Sequence, residues 1–284
     1  MSAKILDGNI ISQPILQEVS NQIIARKKQG FRAPSLAVIL VGDDPASTIY
    51  VNNKRSACEK VGITSKIFHY KNNIKQQELL DLINKLNLDP NIDGILIQLP
   101  LPNSISSQII LGSVNPNKDV DGFHPNNMGC LVQGWPILQP CTSLGIMKLL
   151  DFTGVQLSGK KATVVGCSNI VGKPIASALL NANCTITICN KQTNDLRSFV
   201  NAADILVSAT GQPHLIKGDW IKKNSIVIDV GTTKVNNKLV GDVEFNVAKK
   251  HAGWITKVPG GVGPMTIACL LENTLLTQML NMQN

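Results

Sequence analysis

Short apolar runs of strand length alternate along this chain with stretches whose apolar residues recur every three or four positions. Ile15, Leu16, Val19, Ile23 and Ile24 follow helical spacing, and Gly30 ends the pattern. The run Ser35–Val41 predicts a buried strand. Gly42, two aspartates and Pro45 break it, and Pro45 sits where a helix favours proline. Residues 64–69 predict a short strand. Leu79, Leu82, Ile83 and Leu86 mark an amphipathic helix ended by Asp89 and Pro90. The stretch Asp93-Gly-Ile-Leu-Ile-Gln-Leu-Pro-Leu-Pro102 is an apolar strand with one amide, Gln98, near its C-terminal end and two prolines that stop it. This alternation predicts α/β architecture, with parallel strands joined by right-handed crossovers.

Residues 115–129 have the composition of turns, including two aspartates two apart, Asp119 and Asp121. Such a stretch is usually a solvated connection, and a long polar loop is also where binding residues gather. A short helix is expected over 144–152, and a domain boundary near 140. A second α/β block follows: a strand at 162–165, the turn from Gly166 to Gly172, a helix at 175–180, and strands at 184–189, Ile205–Ser208 and 226–230. A strand, a glycine-rich turn, a helix and a strand form the dinucleotide-binding arrangement, in which bare backbone closes on a pyrophosphate at a helix N-terminus. The spacing Gly166-x-Ser168-x-x-x-Gly172 departs from Gly-x-Gly-x-x-Gly, so the flanking strands carry much of this reading. The loop Val258-Pro-Gly-Gly-Val-Gly-Pro-Met-Thr266 must bring bare backbone close to a ligand or to a neighbouring strand. The last helix carries apolar residues at 267, 270, 271, 275 and 279 and reads as a packing helix.

At 284 residues the chain suits about two domains with a large core. Its 43% hydrophobic and 16% charged residues are those of an ordinary globular protein. Aromatics at 4% argue against base-stacking platforms. The net charge of +8 suits anionic ligands, but the basic residues are scattered and form no nucleic-acid tail. No apolar stretch has the length of a signal-peptide core or a membrane span. The seven cysteines form no Cys-x-x-Cys pair and the four histidines are dispersed, so the expectation is reduced thiols in a cytoplasm, with no disulfide framework and no metal site.

Two features carry candidate chemistry. Tyr50 and Lys54 are four apart on the helix after the first long strand. Four residues make roughly 400° of turn and about 6 Å of rise, so phenol and ammonium leave one face. They suit a proton-handling pair, or simply a surface lysine beside a half-buried tyrosine. In the second block, the strand after the Gly166 turn ends Cys189-Asn190-Lys191. An NAD site would place a carboxylate there for the ribose 2′-hydroxyl. Lys191 instead suits a 2′-phosphate, which predicts NADP over NAD.

Taken together, Tyr50-x-x-x-Lys54, the Gln98-Leu-Pro-Leu-Pro stretch, Lys118-Asp-Val-Asp-Gly-Phe, Pro140-Cys-Thr, Gly166-x-Ser-x-x-x-Gly-Lys-Pro and Pro259-Gly-Gly-Val-Gly-Pro-Met-Thr resemble the bifunctional methylenetetrahydrofolate dehydrogenase/methenyltetrahydrofolate cyclohydrolase family. The resemblance spans nearly the whole chain. It implies an N-terminal catalytic, folate-binding domain (1–139), a Rossmann NADP-binding domain (140–265) and a C-terminal helix (266–284) returning to the first domain, with the active-site cleft between the domains. It implies Lys54 as the central catalytic residue, with Tyr50 against the folate and Gln98 hydrogen-bonding near Lys54. Asp121 would bind the pterin, and Gly261, Pro264 and Thr266 would line the folate site. Gly166, Ser168, Ile170, Gly172, Thr210 and Thr233, together with Lys191, would hold NADP. A homodimer through the Rossmann domain and a part in one-carbon metabolism, including purine biosynthesis, are also implied. Asp119 is expected to tolerate substitution. Ser143, Cys167 and Lys257 depart from the family pattern: the first and last replace prolines, and Cys167 weakens the phosphate-binding reading of its turn. The competing readings are another two-domain dehydrogenase, such as one acting on shikimate, and a non-catalytic folate or nucleotide binder.

Overall fold

The computed structural model describes residues 2–236 and 238–281. Its strands are β1 (Lys4–Leu6), β2 (Ser35–Val41), β3 (Thr64–Tyr70), β4 (Gly94–Ile97), β5 (Lys161–Val165) and β6 (Thr185–Cys189). They continue as β7 (Ile205–Ser208), β8 (Ile226–Asp229), β9 (Thr233–Val235), β10 (Lys238–Val240) and β11 (Trp254–Thr256). Two compact units result. One comprises residues 1–13, 131–135 and 142–266; the other comprises 14–130, 136–141 and 267–284.

The second unit is built on a three-stranded parallel sheet in the order β3-β2-β4. Every residue of β2 is buried, as its unbroken apolar run requires of a central strand. Ala37, Ile39 and Val41 pack with Leu79, Ile83 and Leu86 of the helix Gln76–Leu88. Arg32 pins the sheet's lower edge: its guanidinium donates to both oxygens of buried Asp93, at 2.6 and 2.8 Å, and Asp93 also accepts from the backbone N–H of Ser35. Within this unit the last helix is held by buried Asn273, whose amide donates to the carbonyls of Val120 (2.9 Å) and Gln139 (3.0 Å).

The first unit carries a six-stranded parallel sheet in the order β1-β11-β8-β7-β5-β6. The chain passes from β5 outward to β6 and then returns to β7 on the other side of β5. That reversal is the topological switch point at which open α/β sheets bind ligands. The antiparallel hairpin β9–β10 projects from the end of β8. Residues 1–13 belong here, although the sequence assigns them to the N-terminal domain. The reason is β1, which completes the sheet edge by pairing with β11 over three residues, too few for any pattern to register.

The segment 115–129, expected to be loop, contains the start of a helix, Pro125–Gln133. Asp119 organises that start. Its carboxylate accepts from the backbone N–H of His124 (2.7 Å) and the side-chain amide of Asn127 (2.9 Å), and the His124 ring accepts from the N–H of Asn126. Among the described residues no helix is long and apolar enough to cross a membrane.

Candidate active site

Lys54 lies on the helix Pro45–Val61. Asp44 caps that helix by accepting from the N–H of Ser47 (2.8 Å), Pro45 opens it, and Gly62 ends it in the left-handed conformation at φ 89°. Its buried face is Ser47, Val51, Lys54, Cys58 and Val61. Lys54 therefore occupies a place on the packing stripe and is only 8% exposed, whereas Tyr50, one turn earlier, is 39% exposed. The Lys54 ammonium donates to Oε1 of Gln98 at 3.1 Å, and among the described residues it has no ion-pair partner. Gln98 is fixed in turn. Its backbone N–H donates to Ile39 of β2, and its side-chain amide donates to the carbonyl of Leu99 at 2.7 Å. A buried ammonium held by one neutral amide keeps two of its three donors for another group.

Asp121 comes to the same end of the small sheet. Residues 118–120 run beside β4, with Ile95 N–H donating to the carbonyl of Lys118 and a parallel bridge between Ile95 and Asp119. At Gly122 the chain turns with φ 72°, and a Cβ there would lie 2.5 Å from the Gln139 carbonyl carbon and the Pro140 nitrogen. Asp121 is half-buried. Burial raises its carboxyl above the usual range, while the nearby Lys54 charge and the Cys141 thiol draw it back down. Burial also drives the Cys141 thiol well up, with Asp121 adding to the effect, and pushes Cys58 up to about 12 despite Lys54. Neither thiol is a nucleophile in this setting.

The two aspartates of the motif thus have different surroundings. Asp119 is buried and spends its carboxylate on the helix start described above, which argues against the expectation that it tolerates substitution. Lys118 is also buried and structural: its ammonium donates to the carbonyls of Leu86 (3.1 Å) and Asp89 (2.7 Å) at the C-terminal end of the helix Gln76–Leu88. Burial lowers its pKa. Of the three, Asp121 is the one whose carboxyl is drawn down by the Lys54 charge. Cys141 and Asn273 complete these surroundings; from sequence Asn273 reads as the polar side of a packing helix, with no signal of this role.

The residues expected to hold a dinucleotide belong to the first unit. Gly166 ends β5 and has φ 114°; a Cβ there would lie 2.3 Å from the carbonyl oxygen of Ala209, so the turns after β5 and β7 touch. A Cβ on Gly172 would lie 2.0 Å from the Gly166 carbonyl oxygen. Ser168 Oγ accepts from the N–H groups of Val171 (3.2 Å) and Gly172 (3.3 Å), where the helix Gly172–Asn181 begins. Thr233 donates its hydroxyl to the carbonyl of Gly211 at 3.0 Å, which ties the hairpin to the turn after β7, next to Thr210 in sequence. Ile170 is half-buried on the Gly166 turn. Lys191 is exposed just beyond β6, on a turn where Asn190 accepts from Gln192 and donates to Thr193. Bare backbone at the switch point, a helix N-terminus and an exposed lysine after the second strand fit a phosphorylated dinucleotide.

Gly261, Pro264 and Thr266 lie in the loop before the last helix and at its start, also in the first unit. The glycines there meet protein. Gly8 N–H donates to the carbonyl of Gly260 at 2.8 Å, and a Cβ on Gly8 would overlap the Gly261 oxygen at 1.8 Å. Lys257, where a proline was expected, pairs with Asp7 at 2.5 Å and ties this loop to the N-terminal segment. Thr266 Oγ1 lies 3.3 Å from Thr142 Oγ1. Ser143 is fully buried within the helix Cys141–Phe152, and Cys167 is exposed.

Two family models match the chain. Residues 6–121 match the catalytic domain of tetrahydrofolate dehydrogenase/cyclohydrolase, and residues 140–282 match its NAD(P)-binding domain. Among solved structures, the FolD methylenetetrahydrofolate dehydrogenase/cyclohydrolase of Campylobacter jejuni is 47% identical with a TM-score of 0.96, covering 98% of this chain and 99% of its own. The Trypanosoma brucei FolD, solved with NADP cofactor and inhibitor, is 37% identical with a TM-score of 0.97 and covers 100% of both chains. The bifunctional enzyme of Thermoplasma acidophilum is 34% identical with a TM-score of 0.92, covering 99% of this chain and 100% of its own.

Proposed function

The chain belongs to the tetrahydrofolate dehydrogenase/cyclohydrolase family, and we propose that it carries both activities. It oxidises 5,10-methylenetetrahydrofolate with NADP to the 5,10-methenyl compound, then hydrolyses that product to 10-formyltetrahydrofolate. The observation that carries this reading is the buried Lys54 ammonium, which among the described residues donates to Gln98 and whose charge bears on the nearby Asp121 carboxyl.

Bound NADP supplies the hydride acceptor. The methylene carbon gives up its hydride as the flanking nitrogen lone pairs press in, so the product is a delocalised cation and no proton moves. The protein's share of this step is alignment. Tyr50 offers its exposed ring to the folate, and Asp121 accepts hydrogen bonds from adjacent pterin N–H donors. Gly261, Pro264 and Thr266 complete the folate site. Hydrolysis adds water to the methenyl carbon. That water gives up one proton as it attacks and the second as the carbinol hydroxyl becomes the formyl carbonyl; one folate nitrogen gains one proton as its bond to the carbon breaks, and the other proton is released. Lys54 is the acid/base for these transfers, and Gln98 sets the direction of its ammonium.

Gly166, Ser168, Ile170, Gly172, Thr210 and Thr233 form the NADP site, with Lys191 facing the 2′-phosphate. Ser168 acts by holding the N–H groups of Val171 and Gly172. Functionally, residues 1–139 serve folate and catalysis, 140–265 serve the dinucleotide, and 266–284 are the helix that returns to the first of these. A homodimer forms through the dinucleotide-binding domain, supported by the position of β6 at the end of its sheet among the described strands. The enzyme works in the cytoplasm and supplies formyl groups for purine biosynthesis. The test follows NADPH and methenyltetrahydrofolate by their separate absorbances from purified protein and methylenetetrahydrofolate. NADPH formation with little methenyl accumulation is expected. No NADPH would sink the dehydrogenase, and stoichiometric, stable methenyl product would sink the cyclohydrolase.

A further inference from the structure

Asn273 reaches the loop that carries Asp121 from the opposite end of the sequence. It lies on the last helix, Val262–Asn281, in the part that shares a unit with Lys54 and Asp121, and it is buried. Its side-chain amide donates to the carbonyl of Val120 at 2.9 Å and to that of Gln139 at 3.0 Å, and it lies 3.6 Å from the Cys141 sulfur. The Cys141 thiol donates to the same Val120 carbonyl at 3.1 Å. One amide therefore clamps two segments that are remote from its helix in sequence.

The clamp bears on Asp121 through the peptide plane. The Val120 carbonyl shares a rigid plane with the Asp121 nitrogen, so fixing that oxygen fixes the direction in which the chain enters Asp121. The chain leaves Asp121 through a second held plane, since the N–H of Gly122 donates to the carbonyl of Asp119 at 3.1 Å. Gly122 rests on Gln139 and Pro140, where a Cβ would lie 2.5 Å from backbone atoms. The Gln139 carbonyl that Asn273 holds thus belongs to the surface under that turn. Val120 itself is fully buried, and its N–H donates to the carbonyl of Lys118 at 3.0 Å. The helix has a seat besides Asn273. Leu270, Leu271 and Leu275 are buried, and Gln278 donates to the carbonyl of Arg32 at 2.9 Å.

We propose that Asn273 is a positioning residue for the folate: by holding the Val120 and Gln139 carbonyls it aims the Asp121 carboxyl at the pterin. This rests on the folate-binding role given to Asp121 above. Asn273 touches no substrate itself. Without its amide, the Val120 carbonyl keeps the Cys141 thiol, a weaker donor. The peptide between Val120 and Asp121 can then turn, and the carboxyl spends part of its time away from the pterin donors. Folate affinity falls, while Lys54 keeps its hydrogen bond to Gln98. The residues proposed for the dinucleotide belong to the other unit and keep their own contacts.

The test is steady-state kinetics of both half-reactions on Asn273→Leu, which has nearly the size of the amide and none of its donors. The folate KM should rise about tenfold in both, the scale of one lost buried hydrogen bond, with kcat changed by less and NADPH affinity unchanged. A residue that only seats the helix would lower the active fraction, hence kcat, and leave KM alone. In an Asp121→Ala background the Asn273 change should add nothing to KM, because the carboxyl it aims is gone. Asn273→Ser keeps one short donor; it replaces the leucine variant should that one misfold, and should give a smaller rise of the same kind. An unchanged folate KM in a folded Asn273 variant, or KM effects that add in the double variant, would overturn the proposal. A wild type that turns over no folate faults the function proposed above and takes this inference with it. Normal wild-type turnover with an unaltered KM in the variant faults this inference alone.

Discussion

Lys54 occupies a place that its helix otherwise gives to packing residues, between Val51 and Cys58. Methionine suits that stripe, so Lys54→Met should fold at least as stably as the wild type. Its chemical consequences should divide. The cyclohydrolase loses its acid/base, typically about 10²- to 10⁴-fold in rate. The dehydrogenase, which moves no proton, should lose less, and methenyltetrahydrofolate should build up during turnover. Assaying each half-reaction separately checks this; an equal loss in both would leave Lys54 as a builder of the site only. The Tyr50–Lys54 spacing was legible in sequence, because helix geometry fixes it. The difference between Asp119 and Asp121 was not, because it depends on Asn127, His124 and the bridge to Ile95. Asp121→Ala should weaken both activities together by about 2–4 kcal/mol, through unpaired pterin donors. Asp119→Ala should instead lower the unfolding midpoint, at a cost of about 1–3 kcal/mol for each buried donor left without its partner. Kinetics on the first variant and thermal unfolding on the second separate the two roles. Folate kinetics unchanged in the first, or an unshifted midpoint in the second, would reverse these assignments.

Elements with strong punctuation were read from the sequence, and the three-residue strands were not. The helix Pro45–Val61 announces itself through Asp44, Pro45 and Gly62, each with a local cause. The helix Pro125–Gln133 hides behind asparagines that also suit turns, since its start is fixed by Asp119 from outside the element. β1, β11 and the β9–β10 hairpin are three residues each and depend on neighbours for their pairing. The Gly166–Gly172 turn is the element on which the dehydrogenase depends. A Cβ at 172 would overlap the Gly166 oxygen at 2.0 Å, with backbone rather than a flexible side chain in the way. Gly172→Ala should cost about 1–3 kcal/mol of overpacking, partly relieved by shifting the turn. NADP binding should fall with it. Cyclohydrolase activity on added methenyltetrahydrofolate should survive better than dehydrogenase activity, since Lys54 and its surroundings belong to the other unit. Calorimetric NADP titration and the two assays check this; unaltered NADP affinity would mean the turn is only scaffold.

At the scale of the molecule, alternating runs and helices were enough to predict parallel sheets. They could not show that residues 1–13 join the larger sheet, because that pairing spans nearly the whole sequence. Asp229 makes stability pH-dependent. Its carboxyl is raised to about 7 in the folded chain, so the folded state binds more protons than the unfolded one between about 4 and that value. Its contribution is fully present below about 4, is lost as pH rises through about 7, and changes no further above that. Thermal unfolding of the wild type against Asp229→Asn should differ in slope over this window; parallel profiles would contradict it. The remaining question of scale is assembly. β6 is the outer strand of the six-stranded sheet, so one side of its backbone pairs with no other described strand. Ile188 on it is 45% exposed, and Leu180 on the preceding helix is 60% exposed. Asn181 donates to the carbonyl of Leu131 at 2.8 Å, which brings the segment carrying exposed Val132 and Trp135 to the end of that helix. An open edge with apolar side chains around it invites pairing with another chain, and a twofold axis lets the same edge serve both copies. A charge on the edge strand should prevent that pairing. Ile188→Lys should therefore turn a species of twice the chain mass into one of the chain mass in light scattering, with the far-ultraviolet spectrum unchanged. A wild type that runs as a monomer, or a variant that stays dimeric, would move the interface away from β6.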